Sequence, residues 1–324
     1  LRARRGKEGS IVGGMKTRLS DHTSVYTEHR YRDGNALTGL THASGVNLTP
    51  TPHWNLGLSS DIGTLRDRTT GAETERRALG VQASYKVGAM YLSTGIEYRE
   101  DVNEQLDLTN STRETWLYRS SFKVNTSPST RLLGKFNHAE SESSLGQFFD
   151  GGFTEASIGY AYRPIHHDRL NALAKYTYFY NVPTTDQVTL KNTPAEYIQK
   201  SHIVAVDVTY DLTSRWSIGG KYAHRVGEIS IDREETDFFD NDVQLYVLRT
   251  DYRLFENWEV MLEARQLDMP DLGDSRSGAL VALSRYLGGH LKLGVGYNFT
   301  DFSDDLTDLS FEHRGAFFNI TGML

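Results

Sequence analysis

The 324-residue chain contains no cysteine, which excludes disulfides, thiolate metal sites and cysteine nucleophiles together. No stretch approaches the roughly 20 apolar residues that a membrane helix needs; "GALVAL" (Gly278 to Leu283) is among the longest runs. That excludes an α-helical membrane protein but not a β-barrel, whose strands are diluted by residues facing a wet interior. A basic excess is also missing. The net charge is -7, so the general footprint of a nucleic-acid binder is absent. The chain opens on "LRARRGKEGS", without an initiator methionine or a secretory leader. With a strand already under way there, it reads as a single domain over residues 1–324 that forms the C-terminal part of a longer protein.

What the sequence does have is alternation. In "RLNALAKYTYFYN" (Arg169 to Asn181), Leu170, Ala172, Ala174, Tyr176, Tyr178 and Tyr180 fall on one face of a strand, and Asn171, Lys175, Thr177 and Asn181 on the other. Similar segments of about ten residues, enough to cross a bilayer at a tilt, recur along the chain. They lie at 11–20, 23–32, 36–48, 54–65, 77–86, 89–99, 114–124, 130–139 and 154–163 before this stretch. After it they lie at 202–212, 215–226, 243–254, 258–267, 278–287, 290–300 and 314–324. If the opening residues complete a further strand the total is about 18, with 16 as the alternative.

The connections alternate too. "KVG", "NTSPST", "RPIHHD", "DLTSRW", "LFENW" and "LGGH" are short; "EDVNEQLDLTNSTR", "EISIDREETDFFDND" and "DFSDDLTDLSFEH" are among the long ones. Short turns on one side and long loops on the other predict an all-β, antiparallel, up-and-down transmembrane β-barrel. Trp54, Trp216 and Trp258 each follow a short turn, while Tyr98, Tyr180, Tyr297 and Phe299 sit at the far ends of the same apolar faces. Two rows of aromatics at opposite ends of one face predict the interfacial girdles of a membrane barrel. A soluble sandwich would concentrate its large aromatics mid-strand.

In "LTSRWSIGGKYAH", "LFENWEVMLEAR", "HLKLGVGYNFTDFSDDLTD" and the terminal "RGAFFNITGML", the chain resembles Gram-negative outer-membrane β-barrels over nearly its whole length. More narrowly, its last hundred residues look like the C-terminal barrel domain of long, repeat-containing bacterial surface proteins. The resemblance implies an outer-membrane location, contact with lipid and lipopolysaccharide, and insertion by the barrel-assembly machinery. In that family the last residue is usually aromatic; here it is Leu324, with Phe318 and Ile320 on the same face.

If the apolar set faces lipid, the other set faces the interior. It includes Lys16, Arg18, Arg99, Arg119, Lys123, Lys135, Lys175, Lys221, Arg225, Arg249, Arg253, Arg265 and Lys292, against the acids Glu97, Asp207, Asp211, Asp251, Glu259 and Glu263. In "LGKFNH", "LAKYTY" and "GGKYAH" an inward lysine is followed by an outward aromatic. A surplus of inward cations predicts an interior that favours anions or docks an acidic plug or partner protein; ordinary wet lining is the plainer reading.

No residue earns a catalytic, cofactor-binding or metal-binding assignment, and the chain does not read as an enzyme. "PIHHDR" places His166, His167 and Asp168 in one short turn, but neighbouring residues seldom converge on one ion without a further ligand. "DFSDDLTD" (Asp301 to Asp308) lacks the glycine and the terminal glutamate of an EF-hand. There is no G-x-S-x-G nucleophile motif, and His138 and His224 have lipid-facing parity. A barrel of this size is too wide for its own side chains to fill, and no long inward-folding loop or plug domain is evident, although the connection from Val182 to Ser201 could narrow the bore. Three functions follow: membrane anchor or translocation pore of a larger surface-associated protein, self-contained porin for small anionic solutes, or sheath around a partner protein.

Overall fold

Alternation of apolar and polar residues is satisfied here by strands throughout. In the computed structural model, residues 9–34, 37–68, 71–104, 110–166, 168–182, 198–230, 237–288, 291–302, 306 and 314–322 are described. The first strands are β1 (Gly9–Ser20), β2 (Thr23–Asp33), β3 (Leu37–Thr51), β4 (Trp54–Asp67), β5 (Glu73–Val87) and β6 (Met90–Glu104). Next come β7 (Ser111–Ser127), β8 (Thr130–Ser143), β9 (Gly151–Tyr162), β10 (Leu170–Val182), β11 (Ile198–Asp211) and β12 (Trp216–Ser230). The short β13 (Phe238–Asp240) precedes β14 (Val243–Phe255), β15 (Trp258–Met269), β16 (Asp274–Leu287), β17 (Leu291–Asn298) and β18 (Gly315–Gly322).

These strands form one 18-stranded sheet. Antiparallel ladders join neighbours in chain order from β1–β2 to β17–β18, and β12 pairs with β14 as well as with β13. The eighteenth strand among the described residues is the short β13. β13 pairs only with the outer end of β12, as Glu228↔Asp240 to Ser230↔Phe238, whereas residues 1–8 lie outside the described residues. Without β13 the count of long strands among the described residues is odd, so β1 and β18 run in the same direction. β1 starts, and β18 ends, at opposite ends of the sheet: Gly9 faces Asp33 at the long-loop end, and Gly322 faces Leu291 at the short-turn end.

Most hairpins rise further at the long-loop end than hydropathy implies. β6 runs on to Glu104, β8 to Ser143 and β12 to Ser230, and β11 begins at Ile198. Above the bilayer both faces of a strand are wet, so backbone pairing continues after the apolar alternation has stopped.

Side chains alternate as a membrane barrel requires. On β14, Tyr246, Leu248 and Tyr252 point outwards, with Leu248 67% exposed, while Val243, Leu245 and Val247 point inwards. The buried apolar cluster therefore lies inside. Ile203 of β11, Ala223 of β12, Val243 and Leu245 of β14, and Leu267 of β15 meet Phe302 and Leu306 from the β17–β18 connection. Ala205, Ala223, Leu245 and Leu267 stand directly opposite one another across four strands. This corrects the expectation that no long loop folds inward, because Phe302 and Leu306 are almost fully buried. The connection from Val182 to Ser201 lies mostly outside the described residues.

The root of the inward loop is seated on a glycine. Thr300 is fully buried, donates its amide to Asn298 Oδ1 at 2.9 Å, and packs where a Cβ on Gly278 of β16 would fall. Gly278→Val is expected to lift this root and to destabilise the barrel by about 1–3 kcal/mol, the usual cost of overpacking. Faster cleavage of the β17–β18 connection by added protease, with heat-modifiable gel mobility retained, would show it; wild-type cleavage would refute the seating.

Candidate functional site

The candidate site is the interior wall, built from residues of one parity on successive strands. Charges two apart on a strand share a face and pair there. Arg99 bonds Glu97 at 2.7 Å on β6, Arg249 bonds Asp251 at 2.7 Å on β14, and Arg265 bonds Glu263 at 2.5 Å on β15. Other pairs bridge strands. Arg76 makes a two-pronged contact to Asp101 at 2.7 and 2.8 Å, Arg119 reaches Glu97 at 3.5 Å, Lys135 reaches Glu155 at 2.8 Å, and Lys292 reaches Glu259 at 2.5 Å.

The interior cations are thus largely matched by carboxylates. Arg30 and Arg76 were missing from the expected cations, and Asp61, Asp101 and Glu155 from the expected acids, yet each lies on the inward face of its strand: Arg76 holds Asp101, Lys135 holds Glu155, and Arg30 lies 3.9 Å from Asp61. Strand parity alone could have found all five. Among the described residues, Lys123 and Lys175 have no ion pair. Lys221 stands opposite Asp207 in the β11–β12 ladder. The Arg253 guanidinium and the Lys292 ammonium lie over the Tyr286 ring at 5.8 and 5.0 Å, and the Tyr286 hydroxyl donates to Glu259 at 2.7 Å. Arg225 is buried between Ile203 and Val243 in the ladders and donates to Gln199 at 3.5 Å.

On the β11–β15 side, the outer end carries the apolar patch with Phe302 and Leu306, while the short-turn end opens on a cavity of about 320 Å³ lined by Asp211, Asp251, Arg253 and Glu259. The β4–β8 side lines a cavity of about 400 Å³ with Ser59, Gln82, Glu97, Arg119, Lys135 and Asn137, together with Leu117.

On the outer face, aromatics stand in two bands. Near the short turns, Trp54 packs on Tyr85 with ring centroids 4.8 Å apart, Trp216 Nε1 donates to Thr250 at 2.7 Å, and the Arg285 guanidinium lies 5.3 Å from the Trp258 ring. Towards the long loops, Tyr98 packs on Trp116 at 5.0 Å and Tyr297 on Phe299 at 4.5 Å, while Tyr180 shares the outward parity of Tyr176 and Tyr178. Trp116 belongs to the outer band but escaped the sequence reading, because it begins its apolar segment at the loop end rather than after a short turn. The aromatics after the three lysines, Phe136, Tyr176 and Tyr222, are each about 40% exposed on this face.

Asp168 lies 3.6 Å from Arg163, and His167 lies outside the described residues. No group of three metal-ligating side chains occurs among the described residues. Of "DFSDDLTD", only Asp301, Phe302 and Leu306 are described. His138 hydrogen-bonds Thr154 at 2.8 Å on the outer face. Leu324 is outside the described residues; Phe318 and Ile320 are exposed on the outer face.

No protein-family model and no curated protein sequence matches this chain. Its shape does have solved counterparts. The siderophore receptor PirA from Acinetobacter baumannii matches with a TM-score of 0.64 at 8% identity, over 96% of this chain and 62% of that one. The iron transporter FrpB from Neisseria meningitidis matches with a TM-score of 0.60 at 10% identity, over 95% and 64%. The alcaligin outer-membrane receptor FauA from Bordetella pertussis matches with a TM-score of 0.57 at 12% identity, over 90% and 60%. The fold is that of a Gram-negative outer-membrane β-barrel. The chain spans about three fifths of the length of these receptors, so the likeness speaks to the architecture of the wall.

Proposed function

We propose that this barrel anchors a larger surface-associated protein in the outer membrane and provides its membrane-spanning pore. One observation carries the reading: among the described residues the long strands are odd in number, which puts the start of β1 at the long-loop end and the end of β18 at the short-turn end. Long loops face the exterior in outer-membrane barrels and short turns the periplasm. A domain joined ahead of β1 therefore emerges on the cell surface. The mutual pairing of interior charges fits a wall built to be stable in the bilayer and gives less support to a strongly anion-selective porin.

An epitope tag placed directly ahead of Gly9 is expected to be reached by antibody on intact cells, and one after Gly322 only after the outer membrane is opened. The reverse pattern would overturn the reading. Neither the named cargo of the structural counterparts nor any cofactor enters this proposal; its partners are lipid, lipopolysaccharide, the barrel-assembly machinery and the surface protein itself.

A further inference from the structure

Carboxylates answer most of the interior cations, but not at the short-turn end of β5–β8. There Lys86 of β5 stands directly opposite Tyr91 of β6, and Tyr91 directly opposite Lys123 of β7. Each shares the strand parity of a residue lining the interior cavity (Gln82, Ser93 and Ser121), and so points inwards. Neighbouring strands lie ~4.8 Å apart, so the two lysines flank the tyrosine with their Cα atoms about 10 Å apart. Arg131 of β8 extends the group: it faces Asn125, two residues beyond Lys123, whose Oδ1 accepts from its Nε at 2.8 Å.

Among the described residues, none of these three cations has a carboxylate partner. The cause is local. The inward residues around them are Asn55, Ser84, Ser93, Ser121, Leu133 and Ala161, and the adjoining turns at 52–53, 88–89 and 128–129 hold no acid. Glu97 lies six residues along β6 from Tyr91, about 20 Å at ~3.3 Å per residue, and already holds Arg99 and Arg119. Cations gathered without an acid repel one another, and an anion between them relieves that repulsion.

We infer that Lys86, Tyr91 and Lys123, with Arg131 beside them, form a binding site at the periplasmic mouth for a small solute carrying two linked oxyanion groups, as a diphosphate does. Two ammoniums on either side of a phenol hydroxyl present donors to two separate sets of negative oxygens, and each ammonium contact is a charge-assisted hydrogen bond. Four-carbon stems give both lysines the reach to close on such a solute. A monovalent anion meets one ammonium at a time and is not retained, so the site is compatible with weak selectivity among small ions. The inference rests on the pore reading above for its access, a water-filled mouth facing the periplasm.

The test is calorimetric titration of the whole protein in detergent with inorganic pyrophosphate at low ionic strength, where screening is least. Wild type is compared with Lys86→Gln, Lys123→Gln and the control Lys221→Gln, an inward lysine of β12 opposite Asp207. Wild type is expected to bind pyrophosphate saturably and acetate not at all. Each site variant should bind at least about fivefold more weakly, the scale of one lost charge-assisted contact, with the control unchanged. No saturable binding by wild type would overturn the site. Equal weakening in all three variants would do the same, because pyrophosphate would then be reading net charge. Heat-modifiable gel mobility establishes folding. If a site variant does not fold, amine acetylation of wild type, mapped by mass spectrometry, replaces it. Slower modification of Lys86 and Lys123 with pyrophosphate present, and no slowing at Lys16, supports the site; no preferential protection refutes it. Planar-bilayer recordings separate this result from the pore reading: a chain that binds but never conducts keeps the site and loses the pore, and one that conducts without binding does the reverse.

Discussion

Leu248→Arg is expected to destabilise the barrel by about 2–4 kcal/mol, the cost of a cationic side chain at the bilayer midplane of a transmembrane barrel. Leu248 lies mid-strand on β14, opposite Gly220 and Ala264, and points into hydrocarbon with 67% of its surface uncovered by protein. The next residue is already an arginine. Arg249 is tolerated because it turns inward, where Asp251 accepts from it at 2.7 and 2.8 Å in a hydrated space. One position along the strand separates a stable charge from a costly one. Urea unfolding in lipid vesicles, followed by fluorescence of the 4 tryptophans, measures the difference. Loss of less than about 0.5 kcal/mol, the scale of an ordinary surface change, would mean that Leu248 does not face lipid.

Replacing both Glu97 and Glu155 by glutamine is expected to turn a weakly selective interior into an anion-preferring one. Glu97 holds Arg99 and Arg119, and Glu155 holds Lys135 while also accepting from Asn137 at 3.3 Å. Glutamine keeps the size and part of the hydrogen bonding but removes the negative charge, leaving three cations uncompensated beside the β4–β8 cavity. Under a tenfold salt gradient the reversal potential should move towards chloride by roughly 10 mV or more, against a limit of about 59 mV for a monovalent ion. These side chains are partly hydrated, so salt should weaken the shift. An unchanged reversal potential in a folded, conducting variant would mean that ions do not pass along β4–β8. The same recordings bear on the wild type, where paired charges on this wall are expected to give weak selectivity and an unmatched surplus of inward lysines and arginines an anion preference.

Much of the architecture was legible without coordinates, and the reason is local. A strand exposes its residues alternately to two environments, so the lipid face of "LAKYTY" or "GGKYAH" can be read from parity, and short turns can be told from long loops by spacing alone. The strand ends at Glu104, Ser143 and Ser230 were not legible, because pairing persists above the membrane where hydropathy no longer alternates. Trp116 was not legible because it stands at the loop end, where a descending strand begins, and there it packs on Tyr98 across the β6–β7 ladder.

By itself, the sequence determined that this is a barrel with an apolar exterior, aromatic borders and a polar interior, since each follows from a period of two and from the solvent on either side. Only the tertiary structure decided which interior charges neutralise one another, because Arg76 finds Asp101 and Lys135 finds Glu155 through inter-strand register. It also decided that Phe302 and Leu306 leave an acidic outer loop for the interior. Ile203, Ala223, Val243, Leu245 and Leu267 become one apolar patch only when four strands are set side by side, and such a patch, facing water, draws in whatever apolar side chains the nearest loop can supply.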